Sequence, residues 1–213
     1  MEEESKKILR IPEGTKRVTH TMIHPYKETL EEVYIPSSVE IIEEDAFNNC
    51  KVLKKIEMVD GLKEIGNTAF WGCESLKEIS IPKTLEKIGL ALFGKCFSLN
   101  KITVDEENPI YTDLDSNSIV KKDEMKLIAL GADSEIPQGT KIITNGALVH
   151  SKKEEIVIPE GVEQLEEFAI EWCKNLKRLY IPSSVKILAE NFLMKCPNLE
   201  SIKIDEKTKT IKI

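Results

Sequence analysis

The sequence lacks most of the local patterns from which active sites are built. It has no C-x-x-C pair, no H-E-x-x-H run and no G-x-x-x-x-G-K-S/T loop. The first two present ligands at the spacing a zinc ion needs, and the third cradles a phosphate. No cysteine–histidine or serine–histidine–acid set carries a recognisable local signature. Histidine is scarce: His20, His24 and His150 are the only ones. His20 and His24 stand four apart, but Pro25 disfavours a helix at His24 and no third ligand lies nearby. The sequence therefore reads as a non-enzyme, with no catalytic residues, no metal and no cofactor.

Positive charge is also short. The 213 residues carry 30 Lys and Arg against 37 Asp and Glu, a net charge of −7. With a pI near 5.2, this argues against a nucleic-acid partner, which selects for a basic surface. No apolar run approaches the length of a membrane span. Met1-Glu2-Glu3-Glu4-Ser5 has neither the basic start nor the apolar stretch of an export signal. The expectation is a chain that stays inside the cell or one whose leader has been removed. Five cysteines, an odd number, do not suggest a disulfide framework. An apolar share of 41% supports a packed core.

What is present is a ruler. Cys50, Cys73 and Cys96 are 23 residues apart, and so are Cys173 and Cys196. The unit reads Leu30-x-x-Val33-x-Ile35-Pro36-x-x-Val39-x-x-Ile42-x-x-x-Ala46-Phe47-x-x-Cys50-x-x-Leu53. It recurs through Ile56, Leu62, Ile65, Phe70, then Ile79, Leu85, Ile88, Phe93, and again through Ile156, Val162, Leu165, Ile170, then Leu179, Val185, Leu188, Phe192. Two degenerate units place Tyr26 and Ser151 in the cysteine slot. A 20–29-residue period headed by L-x-x-L-x-L marks a leucine-rich repeat solenoid, in which each unit buries its apolar side only against its neighbours.

Each unit opens with period-two alternation, as in Lys54-Lys55-Ile56-Glu57-Met58, which predicts a half-buried strand. Pro36, Pro82, Pro159 and Pro182 follow the strands and end the ladder, since proline has no N–H. Two residues later stands a column of turn residues: Gly14, Ser38, Gly61, Thr84, Gly139, Gly161 and Ser184. The fold class expected is an α/β repeat solenoid with parallel strands on the concave face. Short helical turns or loops form its convex side, near Ala46-Phe47 and Ala69-Phe70. The repeat dissolves after Val104. Ser118-Ile119-Val120 and Met125-Lys126-Leu127-Ile128 flank a polar turn, which predicts a β-hairpin. One solenoid over 1–213 follows, with repeat blocks at 1–104 and 133–213 and a hairpin insert at 105–132. Ile202-Lys203-Ile204 and Thr210-Ile211-Lys212-Ile213 read as a last strand or two.

The unit from Ile35 to Leu53 resembles the BspA-like, or Treponema-type, leucine-rich repeats, and the resemblance covers nearly the whole chain. Asn108-Pro109-x-Tyr111 is similar to a spacer common in that family. The resemblance implies a bacterial surface or secreted protein that adheres to host proteins. The asparagine ladder of commoner leucine-rich repeats is missing, and the Gly/Ser/Thr column stands in its place.

The periodic cysteines read as small buried hydrophobes, because Tyr26 and Ser151 replace them in register. A stack spacing of roughly 5 Å leaves a disulfide geometrically open. Trp71 and Trp172, on the far side from the strands, read as core packing or surface cover. Two outward columns run down the strands. Glu32, Lys55, Glu78 and Lys101 alternate in sign and should pair with each other. The second column, Arg10, Tyr34, Glu57, Ser80 and Thr103, then Val157, Tyr180 and Lys203, does not alternate. Tyrosine and arginine dominate interface hot spots. Tyr34, Glu57, Arg178 and Tyr180 are therefore the candidate binding residues, although tyrosine also simply suits a strand. The function expected is protein binding on the strand face, with an adhesin role as the alternative and an enzyme or metal protein as a remote one. The oligomeric state is left open.

Overall fold

A computed structural model describes residues 7–114 and 117–205. Met1-Glu2-Glu3-Glu4-Ser5 and the tail segment Thr210-Ile211-Lys212-Ile213 lie outside them. The chain forms two compact units, 1–110 and 111–213. Residues 105–110 of the sequence-defined insert thus belong with the first unit and 111–132 with the second.

In the first unit the strand face is built from short parallel strands. Ile8–Arg10, Glu32–Ile35 and Lys55–Met58 form one sheet, and Glu78–Ile81 pairs with Lys101–Val104. The registers Val33↔Ile56 and Ile79↔Ile102 put the apolar member of each pair into the core. Tyr34↔Glu57 and Ser80↔Thr103 put the second outward column in line. A second parallel ladder runs through Arg17–Val18, Ile41–Ile42, Glu64–Ile65 and Lys87–Ile88.

The core lies between these ladders and the turn carrying Ala-Phe. Val33, Val39, Ile42, Phe47, Leu53, Ala69, Phe70 and Leu76 are fully buried. Phe47, Phe70 and Phe93 stack with ring centroids 5.4 and 6.0 Å apart. A buried aromatic column contributes about 0.5–1.5 kcal/mol per pair beyond its area.

The Ala-Phe segments form no helix. Asp45, Thr68 and Ala91 take positive φ of 56, 51 and 50°, and Asn49, Gly72 and Lys95 take 60, 78 and 61°. An α-helix cannot run through left-handed residues set four apart. Instead every second N–H points along the stack. Asp45, Phe47 and Asn49 donate to the carbonyls of Asn67, Ala69 and Trp71 at 3.1, 2.8 and 2.7 Å. The intervening residues close tight turns, Ala46 N–H to Glu43 and Cys50 N–H to Phe47. Among the described residues the expected helical turn occurs only in the first, degenerate repeat. There His20–Ile23 is α-helical, with Thr19 as its cap, and His24–Tyr26 is 3-10. The helix holds His20 despite Pro25, because the proline sits at the start of the following 3-10 turn, where its missing N–H costs nothing.

The glycine and hydroxyl column has a structural reason. Gly14, Gly61 and Gly161 donate their N–H groups to the hydroxyls of Ser38, Thr84 and Ser184 on the next turn, at 2.9–3.0 Å. The glycines hold φ of 87, 128 and 97°, which other residues adopt only with strain. The column therefore ties one turn to the next, as an asparagine ladder would.

In the second unit Ser118–Lys121 pairs antiparallel with Lys126–Leu130 across a β-bulge, and Tyr111–Thr112 flanks it. Ile119, Val120, Leu127 and Ala129 are buried. Lys126–Leu130 then passes the ladder on in parallel through Ile142–Ile143, Gln164–Leu165 and Ile187–Leu188. The strand face of this unit holds Glu155–Val157, Arg178–Ile181 and Ser201–Ile204. The Ala-Phe side becomes a third parallel ladder, Leu148–Val149, Ile170–Glu171 and Leu193–Met194.

Candidate binding surface

The cysteine column belongs to the core. Cys50, Cys73, Cys96 and Cys173 are buried and all five thiols are free. Cys73, Cys96 and Cys173 donate to the carbonyls of Phe47, Phe70 and Leu148 on the preceding turn, at 3.1–3.3 Å. Burial pushes the Cys50 thiol up to about 12 and raises Cys73 and Cys96 as well. Such thiols are inert at neutral pH. Cys196 differs: it is only partly buried, and its contact with Cys173 lowers its pKa while raising that of Cys173.

Trp71 and Trp172 are half-buried covers on the far side. The Trp71 indole lies so close over Gly94 that a Cβ there would meet the ring at 1.9 Å. Trp172 is sandwiched between Lys195, 4.2 Å from its ring, and His150 at 6.0 Å.

On the strand face of the first unit, the alternating column pairs less simply than its signs suggest. Lys101 meets Glu78 at 3.4 Å, but Lys55 turns along its own strand to Glu57 at 3.1 Å. Tyr34 donates its hydroxyl to Glu32 at 2.9 Å. The Arg10 guanidinium stacks over the Tyr34 ring at 4.1 Å, with the Lys55 ammonium at 5.3 Å. Tyr34 is thus half-buried and locked in place. Cation–ring contacts of this kind contribute about 0.5–1 kcal/mol at exposed sites. Glu57 remains exposed beside it.

The ends of these strands open into two recesses that share Val59. One part, about 410 Å³, is bounded by Arg10, Tyr34, Pro36, Glu57 and Val59. A larger part, about 780 Å³, begins at Met58 and Val59 and runs past Ser80 and Thr103 to Glu107. Val59 lines both and is 42% exposed. The Ser80 and Thr103 hydroxyls hydrogen-bond to each other at 2.9 Å on its floor. Asp60, Asp105, Glu106 and Glu107 form the lip. Lys83 spans it, 2.7 Å from Glu107 and 3.8 Å from Asp60, and these carboxylates raise its pKa.

The sequence reading singled out Tyr34 and Glu57 but missed Val59 and the acidic lip. The signal available was the proline slot itself. Val59 and Asp105 replace proline there and put an exposed apolar group and a carboxylate on the groove wall.

In the second unit Arg178 pairs with Glu155 across the strands at 2.7 Å, so its charge is engaged within the protein. Tyr180 is half-buried, with the Lys203 ammonium 5.8 Å from its ring. Val157, opposite Tyr180 in register, is 47% exposed. Tyr34 and Glu57 are neighbours in the first unit, and Arg178 and Tyr180 in the second. Among the described residues no helix is long and apolar enough to cross a membrane.

Comparison with known proteins gives the family. The BspA type leucine rich repeat region matches residues 24–129 and 131–213, in six copies. The crystal structure of the pneumococcal vaccine antigen PcpA shares 25% identity at a TM-score of 0.66, over 84% of this chain and 51% of the antigen. A leucine-rich repeat protein from Eubacterium ventriosum shares 21% identity at a TM-score of 0.63, over 95% of this chain and 61% of that one. The chain spans between half and two thirds of the length of these two structures. No curated protein sequence matches it. With the repeat model matched over most of its length and the strand ladders in register, the chain belongs to the BspA-type leucine-rich repeat family.

Proposed function

We propose that this chain is a non-enzymatic protein-binding module whose strand face is the binding surface. The observation that carries the reading is the recess along the second outward column of the first unit. It combines exposed Val59, the fixed ring of Tyr34 and the exposed Glu57 carboxylate on a rigid hydrogen-bonded ladder. Side chains held in place before binding lose little entropy when a partner arrives. Tyr34 and Glu57 are the anchors in the first unit, and Arg178 with Tyr180 supplies a second patch on the other. The test is affinity capture from native cell lysate and culture medium with the intact chain and with a Tyr34→Ala, Tyr180→Ala variant. The variant melts close to the parent and loses the partner. Full retention of the partner removes these residues from the site.

The likeness to a pneumococcal vaccine antigen supports a second reading, display at the cell surface or in the medium. Fractionation of native cells tests it, with an antibody against this chain applied to intact and lysed cells. Signal only after lysis overturns it.

A further inference from the structure

We infer that the groove of the first unit takes an extended polypeptide segment in which basic side chains alternate with small apolar ones. The inference rests on the protein-binding reading above and assigns the chemistry of the partner. Its first support is shape. The groove runs across the strands from Met58 past Ser80 to Thr103, and adjacent strands lie about 4.8 Å apart. With the recess beside it, lined by Arg10 and Tyr34, it crosses five turns, or roughly 19 Å at that spacing, and an extended segment of about six residues covers both. The second support is the wall. Val59 offers apolar surface where its two neighbouring turns carry Pro36 and Pro82, Met58 lies beside it, and the Ser80–Thr103 hydroxyl pair fits a small side chain or a backbone group.

Charge then selects the partner. Asp60, Asp105, Glu106 and Glu107 stand on the lip against Lys83 alone. Asp105 accepts the Glu107 N–H at 2.9 Å, and Lys83 pairs with Asp60 and Glu107. One cation against four carboxylates leaves a net negative lip beside an apolar wall. An acidic or purely apolar segment would bury these carboxylates without compensation, whereas a lysine or arginine side chain lays its stem on Val59 and its charge on the lip.

The test uses the full chain and a fluorescent peptide that alternates lysine and valine, with an alternating glutamate–valine peptide as control, read by anisotropy. The lysine–valine peptide is expected to bind, and to weaken as salt is raised past physiological strength. The exposed-lip variant Asp60→Asn, Glu106→Gln, Glu107→Gln should bind it about tenfold more weakly at an unchanged melting temperature. Val59→Ser should weaken it without changing the salt dependence. No binding of the lysine–valine peptide, equal binding of both peptides, or equal binding by the lip variant overturns the inference. So does calcium chloride displacing the peptide where sodium chloride of equal ionic strength does not, which would make the lip a cation site. Capture of the native partner distinguishes the two readings. A partner lost with Tyr34→Ala, Tyr180→Ala but kept by the lip variant leaves the strand-face reading standing and removes this one.

Discussion

At the scale of single residues, chemistry that looks functional in the sequence is spent on packing. The cysteine register suggests a redox or metal ladder until the thiols are seen donating to carbonyls of the preceding turn in the buried core. Tyr26 and Ser151 in the same slot made that legible from the sequence. The exception, Cys196, was not legible, because it depends on the last cysteine-bearing turn being only partly covered. A thiol reagent at neutral pH is therefore expected to modify Cys196 first, with the other four cysteines reacting only as denaturant is added. Fast labelling of Cys73 or Cys96 in the native protein would contradict this. Glu40 gives a second residue-scale prediction. Hydrogen bonds and ion pairs to Lys16 and Lys63 on the two neighbouring turns lower its pKa to about 2 from the usual carboxylate value of 4.5. A folded-state pKa below the unfolded one stabilises above the unfolded value, and that contribution is lost as pH falls. The parent should lose stability between about pH 4.5 and 2, and Glu40→Gln should lose less over that window in acid melts. The group is solvent-accessible, so the difference is small.

At the scale of elements, the strands were legible and the far side was not. Alternation at Glu32–Ile35, Lys55–Met58 and Glu78–Ile81, with proline or its substitute after each, leaves little choice for those segments. The Ala-Phe side depends on left-handed residues at two fixed slots. Thr68, Ala91, Lys95, Phe168 and Trp172 hold those slots, and none of these residue types announces a positive φ. The inter-turn hydrogen bonds that offset the strain are a property of the stack and have no local signature. Asn49 and Gly72 in the slot of Lys95, and Asp45 and Gly146 in the other, are the hints. Lys95→Gly should consequently raise stability, by about 1 kcal/mol if the left-handed strain is fully relieved. Lys95→Val should lower it by at least as much, because a β-branched residue tolerates that region least. Chemical denaturation of both variants checks the pair, and the opposite order would mean the slot is unstrained. Gly94→Ala should also destabilise, since its Cβ meets the Trp71 ring.

At the scale of the molecule, two compact repeat units each carry a strand face with a tyrosine on its outward column. Period and pattern were enough to fix which residues face out, because a slip of one residue would turn the core of every strand to water. They were not enough to locate the groove. Its walls come from Val59 and from Asp105 to Glu107, where the repeat consensus fails, and its depth comes from neighbouring turns together. The side chains with most chemical promise in sequence, Tyr34 and Arg178, are partly engaged with Arg10, Glu32 and Glu155, which makes them fixed anchors rather than loose ones. The central claim is that a protein partner sits on the strand face. The most direct measurement replaces exposed Ser80, on the groove floor, with a photo-crosslinking phenylalanine analogue, and in a second variant exposed Lys87, on the neighbouring ladder. Irradiation in native lysate and medium should link the partner through position 80 and leave position 87 unlinked. A partner linked through position 87 and not through position 80 would contradict the account.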